Sequence, residues 1–389
     1  MKELNFIGCL PASKSLFNRL LIVQSFFPEL ILEGDSDCED VKMMQQALAH
    51  LGGEDRYDCG HAGTVLRFLS FRLSREPGEH LLIGSERLFA RPQDELIVAL
   101  RQLGCQVELG KNQLKILSTG WQLMGDSLHV SAKRSSQFIS GILLSSWKYD
   151  KPIHISPGRT IISPDYWQMT VSLMKKLGLQ VEKWESDYVV KPTQNLTLKK
   201  IKVEQDLSSA FAIAAIAAVR GKAIFQEFPT SSLQPDSIFP RVLSEMGVAT
   251  SFENNTLKIE ANDLRAIDFD INLAPDMFPV LAVLTAQAKG KSRFIHGEQL
   301  RFKESDRLKN ILSLIQKMNK RFELRENMLE IIGNPEVHKN KITFDCLQDH
   351  RLAMAAGLAK YMGYDIEILN PHVVTKSFPD YWDIIGTAL

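Results

Sequence analysis

The sequence lacks the signals of several common protein classes. Its five cysteines are scattered and include no Cys-x-x-Cys pair, so neither a disulfide framework nor a zinc site is indicated. No His-x-x-x-His, Gly-x-Gly-x-x-Gly or Gly-x-Ser-x-Gly motif is present. Metal hydrolysis and Ser-His-Asp chemistry therefore have little support.

An excess of charge and a long apolar run are also missing. The 46 Lys and Arg residues balance the 46 Asp and Glu residues, so nucleic-acid binding through bulk charge is not expected and any anion site must be local. The longest apolar run, Ala210 to Val219, is about half of the ~20 residues that a membrane span needs. Met1 to Pro11 also lacks the features of a signal peptide. We expect a cytoplasmic protein.

The chain of 389 residues is long enough for two domains. In a recurring pattern, an amphipathic helix is followed by Leu or Met, then by Gly or Asn, and then by a strand of alternating polarity. Gly and Asn commonly end a helix because they adopt the left-handed conformation. Six occurrences predict six copies of one α/β unit, although ordinary helix-to-strand junctions would leave the same trace. They lie at Leu51-Gly52, Leu103-Gly104, Leu177-Gly178, Met246-Gly247, Met318-Asn319 and Met362-Gly363.

The first copy is predicted to be shortened. Only Gly53 to Gly60 separates its cap from the next glycine turn, which is too little for a hairpin. A turn-rich crossing lies at Phe228 to Asp236, and we place a domain boundary there.

One charged stretch, Leu300 to Leu308, precedes an apolar-periodic run. A helix beginning near Ser305 would place Asp306 in its first turn, where carboxylates are favoured. If that helix reached further back, Lys303 and Arg307 would share a face with Glu304 between them, which suits an acid/base group working on an anion. A solvated, salt-bridged helix start is the alternative.

Other stretches also suit anions. Pro11 to Arg19 places Lys14 and Arg19 at a helix start, and Gly60 to Arg67 is a glycine turn that feeds a helix without the spacing of a Walker A loop. Arg87 and Arg91 precede Pro92, and arginine suits carboxylate or phosphate. Capped helices and surface cations explain each stretch equally well when it is taken alone.

Further polar residues stand at predicted helix starts. Arg134 to Gly141 offers two hydroxyls and an amide, and Ser163 to Tyr166 adds a hydroxyl and a phenol. Asp276 is either a helix cap or a base. Arg351 falls in the first turn of a helix, where a cation opposes the helix dipole.

Together these segments resemble the 5-enolpyruvylshikimate-3-phosphate synthase family, in matching order along nearly the whole chain. The family shows Pro-x-Ser-Lys-Ser-x-x-x-Arg, Asn-Ala-Gly-Thr-x-x-Arg, Arg-Pro, Ser-Ser-Gln, Pro-Asp, Lys-Glu-Ser/Thr-Asp-Arg, Asp-His-Arg-x-Ala-Met and Lys-Ser/Thr-Phe-Pro-x-Tyr. The corresponding positions are Pro11–Arg19, His61–Arg67, Arg91–Pro92, Ser135–Gln137, Pro275–Asp276, Lys303–Arg307, Asp349–Met354 and Lys376–Tyr381.

The resemblance implies an α/β (α+β) fold of two domains that form an inside-out barrel. Each domain would contain three βαβαββ repeats, which agrees with the six caps. We expect one discontinuous domain from residues 1–12 and 233–389 and a second from residues 13–232. Ligand would close them around a cleft lined by helix N-termini.

The implied reaction moves the enolpyruvyl group of phosphoenolpyruvate to the 5-hydroxyl of shikimate 3-phosphate, a step of the shikimate pathway to chorismate and aromatic amino acids. It proceeds by addition and elimination through a tetrahedral intermediate, without a metal or organic cofactor, and the family suggests a monomer. The implied catalytic residues are Lys14, Asp276 and Glu304. Shikimate 3-phosphate would contact Lys14, Ser15, Arg19, Ser135, Ser136, Gln137, Ser163, Tyr166, Asp276, Gln299 and Lys303. Phosphoenolpyruvate would contact Lys14, Gly63, Arg91, Gln137, Arg307, Arg351 and Lys376.

The chain departs from the family pattern at the shortened first repeat and at His61, Phe68 and Pro235, where the family has Asn, commonly Pro, and Gly. Glyphosate-insensitive members often carry Ala where this chain has Gly63, so we expect sensitivity to glyphosate. Two alternatives remain at this stage: a UDP-N-acetylglucosamine enolpyruvyl transferase, which uses a loop cysteine absent here, and a ligand-binding homologue that has lost turnover.

Overall fold

The computed structural model describes residues 3–53 and 56–386, and the chain forms two compact units. The central unit is Lys14–Val203, and the terminal unit combines Met1–Ser13 with Glu204–Leu389. The first crossing therefore lies within one or two residues of the predicted one. The second lies near Val203 and not at residue 232, so that part of the predicted division is wrong.

The chain enters through strand β1 (Leu4–Gly8) of the terminal unit before it forms the central unit. The helices of the central unit are α1 (Lys14–Gln24), α2 (Glu39–Ala49), α3 (Gly63–Leu73), α4 (Glu86–Ala90), α5 (Asp94–Gln102), α6 (Gln137–Leu144) and α7 (Pro164–Lys176). Its strands are β2 (Ile31–Glu33), β3 (Arg56–Asp58), β4 (Gly78–Ile83), β5 (Gln106–Gly110), β6 (Gln113–Ser118), β7 (Leu128–His129), β8 (Ile153–Ser156), β9 (Val181–Trp184), β10 (Asp187–Val190) and β11 (Lys200–Lys202).

The terminal unit continues with the second half of the chain. Its helices are α8 (Leu207–Val219), α9 (Phe239–Glu245), α10 (Phe278–Gln287), α11 (Arg307–Lys317), α12 (His350–Met362) and α13 (Tyr381–Ile385), with 3₁₀ turns at Pro235–Ile238, Glu298–Phe302 and Pro371–Lys376. Its strands are β12 (Gly221–Phe225), β13 (Ala249–Glu253), β14 (Thr256–Glu260), β15 (Asp268–Asp270), β16 (Gly290–Ile295), β17 (Arg321–Arg325), β18 (Met328–Gly333), β19 (Ile342–Asp345) and β20 (Ile366–Leu369).

Each unit has three helices inside, and its sheets and remaining helices lie outside them. In the central unit α1, α3 and α6 pack together, and in the terminal unit α8, α10 and α12 do the same. These helices are buried on nearly every side, as expected of helices that are apolar all round. Because α8 joins this inner group and β12 pairs with β1, residues from 204 onward belong to the terminal unit. The arrangement is the expected inside-out one, although no sheet closes into a barrel among the described residues.

Four of the sheets share one topology. Their strand orders are β3-β4-β6-β5, β7-β8-β10-β9, β1-β12-β14-β13 and β15-β16-β18-β17. In each, a parallel pair is extended by an antiparallel hairpin that follows an outer helix. The β2/β11 and β19/β20 pairs stand alone as two-stranded parallel sheets. The first copy is therefore shortened as predicted, and the last copy also lacks a hairpin in the part of the chain that the structure describes.

All six predicted caps adopt the left-handed conformation. The φ angles are +80° at Gly52, +88° at Gly104, +108° at Gly178, +88° at Gly247, +59° at Asn319 and +107° at Gly363. Four of them lead into hairpins, whereas Gly52 precedes β3 and Gly363 precedes β20. No helix among the described residues is both long and apolar enough to cross a bilayer.

The cap at Gly178 offers a test of this architecture. A Cβ there would lie 2.5 Å from Thr197 Cγ2, on a backbone with φ of +108°. We expect Gly178→Ala to lower the free energy of unfolding by roughly 1–3 kcal/mol, because it adds a clash to an unfavourable φ. Urea unfolding followed by circular dichroism measures the effect. Gly125→Ala is the matched control, since no atom lies within 4 Å of its Cβ position, and equal unfolding midpoints for the two variants would contradict the expectation.

Candidate active site

Arg307 lies at the centre of a buried group of charges in the terminal unit. Its side chain is only 1% exposed. Its Nε and Nη2 atoms donate to the two carboxylate oxygens of Asp349 at 2.9 and 3.2 Å, a bidentate pairing that fixes the orientation of the guanidinium. Asp349 is itself fully buried and caps α12 by accepting from the Arg351 amide. The ion pair therefore joins the start of α11 to the start of α12.

The same guanidinium holds both predicted acid/base carboxylates. Nη1 donates to Asp276 Oδ1 at 2.8 Å, and Nη2 donates to Glu304 Oε2 at 2.9 Å. Lys303 Nζ lies 3.3 Å from the same oxygen of Asp276, and Lys376 Nζ lies 3.4 Å from Glu304 Oε1. Together with Asp349, three carboxylates and three cations thus form one network.

The sequence-based expectation for this stretch needs correction. Asp306 is the N-cap of α11, and it accepts from the Lys309 amide at 3.0 Å, so it does not lie within the first turn. Lys303 ends the preceding 3₁₀ turn and does not share a helical face with Arg307. Glu304 consequently lies between Arg307 and Lys376, while Lys303 pairs with Asp276.

The charges in this network set the ionisation of Asp276. Burial alone would raise the pKa of its carboxyl, but the positive charges of Lys303, Arg307 and Arg351 outweigh burial and hold the pKa well below its usual range. Burial would likewise lower the pKa of Arg307, and its carboxylate neighbours raise that pKa well above its usual value. In this arrangement Asp276 is an anion at neutral pH.

The structure also separates the two roles left open for Asp276. Helix α10 begins at Phe278 and its N-cap position is occupied by Met277. Asp276 therefore lies one residue before the N-cap position, and its carboxylate pairs with Lys303 and Arg307.

Arg351 is a second buried guanidinium, 3% exposed, in the first turn of α12. Its Nε has no hydrogen-bond partner in the described part of the chain, and Nη1 lies 3.8 Å from the sulfur of Met354. A buried N–H without a partner is costly, so these donors are suited to an incoming anion.

Asp236 belongs to the same charged neighbourhood, although no sequence motif had singled it out as a site residue. It is 2% exposed in the 3₁₀ turn that begins at Pro235. Burial, together with the negative charge of Asp276, raises the pKa of Asp236 to about 6, although the charge of Arg351 opposes the shift.

In the central unit, the buried side chain of Arg67 connects α3 with the start of α6. It is 3% exposed on α3 and lies over the ring of Phe138 at 4.8 Å. Its Nη1 donates to Gln137 Oε1 at 2.7 Å and to Ser135 Oγ at 3.3 Å, both at the start of α6. Its other nitrogens reach the Pro92 carbonyl and Gln93. Sequence reasoning quoted Arg67 only as the end of the glycine-turn motif and gave it no role.

Arg19 anchors a second group of predicted residues. Its Nε donates to Thr170 Oγ1 at 2.8 Å, and its Nη atoms reach the carbonyls of Ser15 at 2.8 Å and Tyr166 at 3.5 Å. The guanidinium carbon is 5.1 Å from the ring centre of Phe68, one of the residues at which the chain departs from the family pattern. Burial lowers the pKa of Arg19 to about 10, so the side chain stays cationic at neutral pH.

Ser136 and Ser163 meet between α6 and α7. The Ser136 hydroxyl donates to the Ser163 carbonyl at 3.5 Å, and Ser163 precedes α7 with φ of +50°. A serine held in this left-handed conformation is strained, and such strain is frequent at functional sites.

Two further contacts place Lys14 and Arg91. Lys14 Nζ lies 3.0 Å from Asp40 Oδ2, and both side chains are mostly buried. Arg91 is 7% exposed and packs so closely on Gly63 that a Cβ at that glycine would lie 2.5 Å from Nη1. Sequence reasoning did not identify Asp40 as a partner.

Each unit thus gathers its own share of the predicted residues. The central unit holds Lys14, Ser15, Arg19, Gly63, Arg91, Ser135, Ser136, Gln137, Ser163 and Tyr166. The terminal unit holds Asp276, Lys303, Glu304, Arg307, Arg351 and Lys376. It also contains Gln299, which is buried and donates to Asn272 Oδ1 at 3.0 Å.

Comparison with known proteins agrees with these motifs. The family model described as EPSP synthase (3-phosphoshikimate 1-carboxyvinyltransferase) matches residues 29–385. The chain belongs to the EPSP synthase family. A 3-phosphoshikimate 1-carboxyvinyltransferase of Bacteroides fragilis is 31% identical, over 97% of this chain and 94% of the relative. Its namesake in Pseudoalteromonas translucida is 29% identical, over 97% and 96% of the two chains.

Solved structures show the same fold. The EPSP synthase of Acinetobacter baumannii superposes with a TM-score of 0.75 at 21% identity, over 99% of this chain and 96% of that one. The enolpyruvyl transferase NikO of Streptomyces tendae gives a TM-score of 0.72 at 13% identity, over 99% and 95% of the two chains. For this EPSP synthase family member, the similarity to NikO supports the fold alone.

The raised pKa of Asp236 predicts a pH-dependent contribution to stability. A carboxyl whose pKa is higher in the folded state favours folding when it is protonated, and this contribution is lost as the pH rises from about 4 toward the folded value of about 6. At pH 7.5 the parent therefore carries the cost of the ionised group, and Asp236→Asn does not.

We expect the free energy of unfolding of Asp236→Asn, relative to that of the parent, to be roughly 2–3 kcal/mol higher at pH 7.5 than at pH 4.5. Urea unfolding at the two pH values measures this difference. Asp263→Asn is the control, because the salt bridge of Asp263 with Lys289 lowers its pKa. A relative stability of Asp236→Asn that does not change with pH would contradict the assignment.

Proposed function

We propose that this protein transfers the enolpyruvyl group of phosphoenolpyruvate to the 5-hydroxyl of shikimate 3-phosphate and releases phosphate. The observation that carries the proposal is the network around Arg307, in which two carboxylates are held among cations on the motifs of the family. Two positioned carboxylates suit a reaction with proton transfers at two places, and the cations suit two anionic substrates.

Shikimate 3-phosphate is proposed to bind Ser15, Arg19, Ser135, Ser136, Gln137, Ser163 and Tyr166 of the central unit, with Lys14 and with Asp276, Gln299 and Lys303 of the terminal unit. Arg67 supports this assignment, because it orients Ser135 and Gln137 at the N-terminus of α6, where free backbone N–H groups favour a phosphate.

Phosphoenolpyruvate is proposed to bind Lys14, Gly63, Arg91, Gln137, Arg351 and Lys376, with Arg307 close by. The hydrogen bonds of Arg307 to Asp349, Asp276 and Glu304 use four of its five N–H groups, which leaves one on Nη1. Arg307 therefore serves chiefly to position the carboxylates, whereas Arg351 has donors that no described residue occupies.

In the proposed addition step, the 5-hydroxyl oxygen bonds to C2 of phosphoenolpyruvate while the methylene carbon gains a proton. Asp276 accepts the hydroxyl proton, and the protonated form of Glu304 delivers its proton to the methylene carbon. In the elimination step, Glu304 takes a proton back from the new methyl group while the C–O bond to phosphate breaks, and the proton held by Asp276 leaves with the phosphate. Lys14 stabilises the charge that builds on the departing phosphate.

Because the pKa of Asp276 is lowered by neighbouring cations, bound substrate anions would change its strength as a base. A carboxylate held far below its usual pKa is a weak base, because neighbouring cations stabilise its charge. A phosphate or carboxylate bound to Lys303 or Arg351 would offset that stabilisation and raise the proton affinity of Asp276. The base is thus strongest when both substrates are in place.

Two alternatives are less well supported. A ligand-binding homologue without turnover would not need the complete set of Lys14, Asp276 and Glu304, each of which is held by an ion pair. A UDP-N-acetylglucosamine enolpyruvyl transferase would use a reactive loop cysteine, whereas Cys59 and Cys105 are buried and burial raises the pKa of both thiols. We also propose a cytoplasmic monomer, which is the family expectation and fits the scattered cysteines.

Loss of the proposed acid/base and phosphate-stabilising groups tests the function. We expect Glu304→Gln and Lys14→Met each to lower phosphate release from the two substrates by about 100-fold or more, since positioned acid/base and electrostatic groups contribute on this scale. Glu298→Gln is the control, because Glu298 is an exposed glutamate in the adjoining 3₁₀ turn. A parent that binds shikimate 3-phosphate without releasing phosphate would identify a binding protein.

The contact between Gly63 and Arg91 predicts the response to glyphosate. We expect glyphosate to inhibit the parent when phosphoenolpyruvate is limiting. In Gly63→Ala the added Cβ must displace the Arg91 guanidinium, so the KM for phosphoenolpyruvate and the inhibitory concentration of glyphosate should both rise, by about tenfold for each 1.4 kcal/mol of lost binding. Initial-rate measurements with Gly125→Ala as the control test this, and unchanged turnover of the parent at saturating glyphosate would refute it.

A further inference from the structure

A cavity of about 640 Å³ lies in the central unit, away from the predicted substrate residues. It is bounded by the last turns of α1 and α2 and by the end of α3. Its walls combine apolar and polar side chains, among them Leu21, Gln24, Gln45, Leu48, Arg72 and Glu76. Ligand cavities commonly have volumes of about 300–1,000 Å³ and a similar mixture of groups.

Among the described residues, the first repeat has no hairpin beside this cavity. In the copy that contains α11, Leu312 and Gln316 lie seven and three residues before the cap Asn319, and they line a groove shared with Phe322 and Leu324 of β17. In α2 the residues seven and three before the cap Gly52 are Gln45 and Ala49, and both line the cavity. The flank that borders strand β17 in the fifth copy has no hairpin strand beside it in the first, within the residues that the structure describes.

Arg72 supplies donors at this cavity. It is 5% exposed and lies 4.2 Å from the ring centre of Phe26. Its Nε donates to Ser25 Oγ at 2.6 Å, Nη1 donates to Glu76 Oε1 at 2.5 Å, and Nη2 reaches the Ser25 carbonyl at 3.5 Å. Three of its five N–H groups are thus used, and the other two have no partner among the described residues.

Glu76 supplies an acceptor beside these donors. Its side chain is 42% exposed, and Oε1 alone pairs with Arg72. The second carboxylate oxygen therefore remains for a ligand in the described structure. A guanidinium and a carboxylate lie side by side at one end of the cavity, next to its apolar wall.

The C-terminal ends of three helices add partial negative charge at this cavity. Helices α1, α2 and α3 all finish at the cavity, and the C-terminal end of a helix carries partial negative charge that favours a cation. The opposite ends of α1 and α3 carry Lys14 and Gly63, which we assign to the substrates. Each of these two helices is eleven residues long, which corresponds to about 16 Å. The cavity is therefore separate from the proposed substrate site.

We propose that this cavity binds an α-amino acid with an apolar side chain. Its carboxylate accepts from the two remaining N–H groups of Arg72. Its ammonium group contacts Glu76 and the negative ends of the helices. Its side chain packs against Leu21, Leu48 and Leu51.

The probes for the test are L-leucine, L-phenylalanine and L-tryptophan, titrated into the full-length protein by isothermal titration calorimetry without either substrate. We expect saturable binding of at least one of them. 2-Phenylethylamine and 3-phenylpropionate, which each lack one charge of phenylalanine, should bind about ten- to a hundredfold more weakly, the cost of one charged hydrogen-bonded group. Absence of binding by all three amino acids, or equal binding of an analogue with one charge, would overturn the proposal.

Variants locate the bound amino acid. Leu48→Trp fills the cavity and Glu76→Gln removes the acceptor charge, so both should weaken binding by about tenfold or more. Glu79→Gln is the matched control, because Glu79 pairs with Lys115 at 3.0 Å on a strand of the same unit and does not line the cavity. Circular dichroism and shikimate 3-phosphate binding verify that each variant is folded. Binding that survives in both Leu48→Trp and Glu76→Gln would refute the location, whatever the result of the phosphate-release assay.

Discussion

The buried ion pair between Arg307 and Asp349 is the constraint on which the proposed chemistry depends. Taking a guanidinium out of water is costly, and the cost is met only when charged partners and hydrogen bonds surround it. Asp349 supplies both of its oxygens, and Asp276 and Glu304 supply one each. Removing a partner of such a buried pair commonly lowers the free energy of unfolding by about 3–5 kcal/mol. The contacts that position the carboxylates therefore also stabilise the fold.

The two units reach similar arrangements from the same architecture. Three buried helices in each unit place their N-terminal ends beside polar residues, and each unit contains a buried arginine that connects a helix with the start of the next inner helix. Arg67 connects α3 with the start of α6, as Arg307 connects α11 with the start of α12. Arg67 works with neutral oxygens of hydroxyl, amide and carbonyl groups, whereas Arg307 works with carboxylates. This difference is consistent with the proposed roles, in which the central unit chiefly binds shikimate 3-phosphate and the terminal unit supplies the proton-transfer groups.

Local sequence signals predicted much of this structure. A glycine or asparagine after an amphipathic helix has a local conformational cause, and all six caps have positive φ. The helix starts at Gln137 and His350 were visible for the same reason, since hydroxyl, amide and carboxylate groups favour these positions. The order of short motifs then indicated the family, and with it the residues that are expected to form the site.

Long-range contacts explain what sequence reasoning missed. Lys14 pairs with Asp40, and Arg67 bonds to residues of α6, so these contacts join residues 26 to 70 positions apart. The local sequence around each residue does not indicate its partner. The second crossing was placed at a turn-rich segment, but the packing of α8 against α10 and α12 decides it. Asp236 was not identified as a site residue, because the sequence analysis considered only its neighbour Pro235, a departure from the family pattern.

The shortened first repeat shows how separable the parts of this fold are. The inner helix α1 needs its neighbours α3 and α6 for burial, and these contacts remain without the hairpin. The outer helix α2 still places Asp40 beside Lys14 through its first turn. What the missing hairpin changes is confined to the other end of α2, where Gln45 and Ala49 border the cavity. Loss of the hairpin therefore leaves the contacts of the proposed catalytic lysine intact and adds a solvent-accessible surface about 16 Å from it along the helix.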